Sequence, residues 1–63
     1  MFQIGDVVIL KSGGKKMVVE CFMGEREGRK IPECVWHCKQ GKVHRSTYEP
    51  EVLKKWVMEA LNG

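Results

Sequence analysis

Two short runs, Val7-Val8-Ile9-Leu10 and Met17-Val18-Val19, are apolar at every position and are separated by Lys11-Ser12-Gly13-Gly14-Lys15-Lys16. β-Branched residues bounded by glycine and charged turn residues predict two strands joined by a turn. Alternate side chains of a strand point to opposite faces, so Val8 and Leu10 share one face while Val7 and Ile9 share the other, and Val18 repeats the pattern between Met17 and Val19. A sheet that is apolar on both faces needs cover on both. One face can line the interior of a small barrel; the other requires a helix, a partner subunit or a ligand.

Length limits the choice further. Sixty-three residues, 43% hydrophobic and 30% charged, suffice for one domain over 1–63 with one modest core. A chain of this size buries only about 60% of the surface its unfolded form exposes, which excludes most large enzymes and makes added support from a metal, disulfide or partner valuable. There is no run of about 18 apolar residues. The first residues, Met1 to Asp6, lack the basic-then-apolar layout of a signal peptide. The expectation is a cytoplasmic protein with no membrane partner. The three cysteines, Cys21, Cys34 and Cys38, are an odd number and are expected as reduced thiols.

Downstream, Gly24 to Glu33 contains two glycines, a proline and six charged residues and is expected to be an exposed loop. Cys34-Val35-Trp36-His37-Cys38 and Val43-His44-Arg45-Ser46-Thr47-Tyr48 flank Lys39-Gln40-Gly41-Lys42 and form a second hairpin signal. A two-residue turn at Gln40-Gly41 sets Cys38 against Val43, His37 against His44 and Trp36 against Arg45; a three-residue loop with a glycine bulge shifts this by one. Both registers remain open at this point. The final segment changes period: Val52, Leu53, Trp56, Val57, Ala60 and Leu61 recur at helical spacing opposite Glu51, Lys54, Lys55 and Glu59. With Pro50 at the first turn, a Glu51–Lys55 pair and Asn62-Gly63 as a stop, this predicts a C-terminal α-helix over about 50–61.

Several of these residues carry a family resemblance. Gly5-Asp6-Val7-Val8, then Leu10-Lys11-Ser12-Gly13-Gly14 with Met17-Val18-Val19, then Cys34-Val35-Trp36 with Gly41, Arg45, Tyr48 and Leu53, resemble the YodC-like family of short bacterial and prophage-associated proteins over about residues 2–53. Lys15, His37, Cys38, the stretch 24–33 and the segment beyond Leu53 depart from that pattern. The resemblance implies a small SH3-like β-barrel or strongly bent antiparallel sheet, and no established activity. A looser similarity runs to KOW-type and other SH3-like modules, whose members bind RNA, ribosomal components or proteins.

The chemistry-bearing residues argue for binding over catalysis. Asp6 is the only aspartate and belongs to a turn, and adjacent His37 and Cys38 of one strand point to opposite faces, so no nucleophile–base pair is expected. Cys21, Cys34, His37, Cys38 and His44 hold no Cys-x-x-Cys knuckle, and Cys34 and Cys38 in an extended strand lie about 13 Å apart, far beyond a shared metal. No metal, cofactor or small-molecule substrate is expected. The net charge of +3 is compatible with a polyanion without demanding one.

The reading is a mainly β domain of four or five strands over about 2–48 plus the C-terminal helix, with Trp36 in the core and Trp56 between helix and sheet. Two binding surfaces are candidates. Lys11, Lys15, Lys16, Lys39, Lys42 and Arg45 with Tyr48 would track a nucleic-acid backbone. Val7, Ile9, Val18, Trp56 and Val57 would instead meet a protein partner or a second copy.

Overall fold

The computed structural model describes residues 2–57. β1 (Val7–Leu10), β2 (Met17–Arg26), β3 (Arg29–His37) and β4 (Val43–Thr47) are followed by a 3-10 turn, η1 (Pro50–Val52), and β5 (Leu53–Lys55). They form one antiparallel sheet in the order β4-β3-β2-β1-β5, which bears out the mainly β reading with five strands.

Facing residues of neighbouring strands share a side of the sheet, so the register assigns the two faces directly. Val8 opposes Met17, Val19 opposes Cys34 and Leu10 opposes Leu53. All but Leu10 are buried, and Leu10, Phe2, Phe22, Trp36 and Tyr48 pack around them as the rim of the core. The opposite row runs Val7, Val18, Val35, Arg45 across β1 to β4 on the outer face.

Two register shifts in β2 bend this sheet over its own core. Val19 opposes Cys34 and Cys21 opposes Glu33, leaving Glu20 as an extra residue; a second shift lies between Phe22 and Glu25. Each bulge kinks its strand and increases the local twist. The hairpin tip is thereby carried to the far side of the core, where Arg26 pairs with Glu49 at 3.3 Å and Arg29 pairs with Glu51.

Two expectations are corrected. Of the stretch 24–33, residues 24–30 are exposed, Ile31 and Glu33 are half-buried and Pro32 is buried, and it is not a loop: it is the tip and first arm of the β2–β3 hairpin, with Glu25 opposite Lys30 and Arg26 opposite Arg29. Its turn is Glu27-Gly28, with φ of 52° and 79°, the left-handed pair that matches strand twist in a two-residue hairpin. Composition obscured it because the charged residues sit on solvated strand arms.

The helix predicted over about 50–61 is absent from its described part, 50–57, and the remainder lies outside the described residues. Pro50 does begin a helical turn, but it closes after three residues. The free edge of β1 then captures the chain. Lys11 N–H donates to the Val52 carbonyl at 2.8 Å, Trp56 N–H donates to the Val7 carbonyl at 2.9 Å, and Leu53, Lys54 and Lys55 oppose Leu10, Ile9 and Val8. Residues three apart fall on opposite faces of a strand, so the Leu53–Trp56 spacing that suits a helix here sends Leu53 into the core and Trp56 to the outer face. Trp56 accordingly does not mediate a helix-to-sheet contact. The predicted Glu51–Lys55 pair gives way to Glu51–Arg29 and Lys55–Asp6.

This assignment separates two neighbours that a helix would have treated alike. Leu53→Ala removes a buried side chain and is expected to cost about 2–4 kcal/mol in urea unfolding, whereas Val52→Ala, at a position 43% exposed, should cost no more than about 0.5 kcal/mol.

Candidate functional site

In an antiparallel sheet the β1–β2 and β3–β4 connections lie at the same end, and here that end collects Lys11, Lys15, Lys16, Lys39 and Lys42. No acidic residue occurs in either connection. The ion pairs of the described residues lie elsewhere: every arginine, Arg26, Arg29 and Arg45, is held by a glutamate, and Lys55 is held by Asp6, while none of these five lysines is paired. Lys15 extends over the Trp36 ring, 5.8 Å from its centroid, and Lys16 lies 4.0 Å from that of Trp56. Lys11 stands apart from the others, with its backbone tied to η1.

Two residues of the candidate set are not part of this cluster. Arg45 is on the outer face, bonded to Glu20 at 3.3 Å. Tyr48 packs against the core, its N–H donating to the Pro32 carbonyl at 3.2 Å.

The β3–β4 turn decides between the two registers. Cys38 N–H donates to the Lys42 carbonyl at 3.0 Å, Gly41 N–H donates to the Cys38 carbonyl at 2.9 Å, and Gly41 has φ of 82°. This is the three-residue loop with a glycine bulge. His37 therefore opposes Val43, and Trp36 opposes His44. The Trp36 and His44 rings stack at 5.7 Å with an interplanar angle of 18°, so an aromatic pair stands on the core face at the lysine end. Trp36 itself is half-buried against the core, as its apolar strand context suggested.

The same shift brings Cys38 diagonally beside His44. A hydrogen bond from the imidazole to its sulfur, reinforced by the backbone N–H groups of Gln40 and Lys42, lowers the Cys38 pKa to about 7. In its protonated form the thiol donates to Gln40 Oε1 at 3.8 Å. In the sequence, Cys38 is set against His37 alone as a nucleophile–base pair; the three-residue loop, one of the two registers open there, is the signal that brings His44 beside Cys38.

The remaining cysteines are held protonated. The Cys21 thiol donates to Glu33 Oε1 at 3.3 Å, which raises its pKa, and burial raises that of Cys34. The five residues weighed as zinc ligands are split between faces: Cys21 and His37 lie outward, Cys34, Cys38 and His44 inward. Glu20, Cys21 and Glu33 bring one ligand atom each within 4.8 Å of one another on the outer face, a grouping created by the Glu20 bulge. No described helix is long and apolar enough to cross a membrane.

A family model described as "Uncharacterized small protein (DUF2158)" matches residues 3–53. The chain belongs to this family. No curated protein and no solved structure matches it. The DUF2158 match spans both lysine-bearing connections, the Trp36–His44 stack and the first residue of β5, and ends before Trp56 and Val57.

Only the thiolate is alkylated, so the three cysteines should react in order of their pKa and access. Iodoacetamide labelling of Cys38 is expected to reach half its maximal rate near pH 7. His44→Ala should move that midpoint upward, and Cys34 should remain unlabelled until the protein unfolds. Equal labelling of all three thiols would contradict the Cys38–His44 arrangement.

Proposed function

We propose that this chain is a small non-catalytic module that binds the backbone of a nucleic acid at its lysine-bearing end. The observation that carries the reading is the segregation of charge: the arginines are neutralised by glutamates elsewhere, and the lysines of two adjacent connections are left unpaired. Unpaired lysines release counterions when phosphates replace them, which makes binding favourable and salt-dependent. The Trp36–His44 stack beside Lys15 adds a flat, half-buried surface at the same end, suited to resting against a base. The Cys34-Val35-Trp36 segment of β3 and the Gly13-Gly14 connection are among the features that carry the YodC-like resemblance, and we read the sheet as SH3-like. In support, β1 joins both β2 and β5, β2 is bent by bulges, and a 3-10 turn precedes the last strand. Three free thiols fit a reducing compartment, and the proposal places the protein in the cytoplasm.

A fluorescence anisotropy titration with single-stranded and duplex DNA and RNA at low salt, repeated as salt is raised, tests the reading. Contact of Lys15, Lys39 and Lys42 with three phosphates predicts a slope of log K against log salt of about −2 for a single strand. Changing Lys15 or Lys42 to Glu should weaken binding and flatten that slope by about 0.7 each. No binding at low salt, or binding indifferent to both substitutions, would overturn it.

A further inference from the structure

The β3–β4 turn gives Cys38 surroundings unlike those of the other two cysteines. Cys38 directly follows β3, is half-buried and is followed at once by Lys39, and its N–H is held by the Lys42 carbonyl. His44 lies diagonally across the hairpin, its exposed ring stacked on Trp36, over which Lys15 extends. An imidazole and three unpaired lysines thus gather about one accessible sulfur, and neither connection at this end holds a carboxylate. Cys21 is the opposite case. It is also half-buried, yet a carboxylate oxygen of Glu20 and one of Glu33 lie within 4.8 Å of its sulfur. Cys34 is fully buried. The chain therefore carries one accessible thiol in a basic setting, one in an acidic setting and one out of reach.

The basic setting favours a thiolate and attracts an approaching anion; the acidic setting opposes both. We infer that Cys38 is a site of reversible S-thiolation, where the sulfur forms a mixed disulfide with half of a small disulfide that bears carboxylates. The Cys38 thiolate attacks one sulfur of that disulfide, its S–S bond breaks, and the other half leaves as a thiolate that takes up the proton Cys38 released. Cys38 is oxidised by the bond it forms and the departing half is reduced, so the disulfide itself is the oxidant. The adduct persists because no second thiol of this chain reaches it. Cys34 is buried and four residues back along extended chain, about 13 Å away, and Cys21 lies on the outer face. Excess reduced thiol reverses the modification by the same exchange.

Incubation of the folded chain with oxidised glutathione at pH 7, read by intact mass and peptide mapping, is the test. One glutathionyl adduct is expected, at Cys38, with Cys21 at least about tenfold slower and Cys34 unmodified. The ratio of the rate with oxidised glutathione to that with cationic cystamine should fall by at least about threefold when Lys39→Gln and Lys42→Gln are combined. Both lysines are exposed, so the pair of changes keeps the fold. His44→Ala should slow the glutathione reaction about threefold, the loss of thiolate being offset in part by the greater nucleophilicity of what remains. No adduct at Cys38, an adduct that favours Cys21, a rate ratio unmoved by the lysine changes, or a rate unmoved by His44→Ala would overturn the inference. The readout is a bond at sulfur, so this proposal and the nucleic-acid reading fail separately.

Discussion

The fold depends on the bending of β2. This ten-residue strand pairs with β1 at its start and with β3 along its length, and two extra residues curl it between those partners. A flat sheet of this size would leave one apolar face without cover, because no described α-helix is available to pack on it. Bending lets the hairpin return over Val8, Val19 and Cys34, and it is secured there by Arg26–Glu49 and Arg29–Glu51. Those pairs are solvent-exposed and individually weak, so burial of the core residues supplies most of the stabilisation.

The same bend distributes the charge. Carrying the β2–β3 tip to the segment around η1 gives Arg26 and Arg29 acidic partners, and the Glu20 bulge hands Arg45 a carboxylate on the outer face. At the opposite end the β1–β2 and β3–β4 connections hold five unpaired lysines and no acids. A modest net charge of +3 is thereby concentrated into one local field, and a local field is what steers a polyanion.

Much of the sheet was legible in the residues. The paired apolar runs marked β1 and the start of β2, and Lys39-Gln40-Gly41 carried both possible hairpin registers, of which Gly41 at positive φ selects the bulged one. The β2–β3 tip was hidden because solvated strand arms and a loop have the same polar composition. The last segment misled for a different reason. Its apolar spacing satisfies a helix and, equally, a strand with one apolar residue on each face, and only the unfilled edge of β1 decides between them. At the candidate site, the lysines were visible singly, while the neutralisation of every described arginine and the pairing of Cys38 with His44 are products of register and could not be read from spacing.

The central claim is that function resides at the lysine-bearing end of the sheet. Backbone amide shifts of the isotope-labelled protein, followed while a short single-stranded oligonucleotide is added at low salt, test it most directly. The account predicts changes concentrated in residues 11–16 and 38–44 and at the Trp36 indole, with Glu25 to Lys30 at the hairpin tip unmoved. Shifts centred on that tip, or none at saturating oligonucleotide, would contradict it.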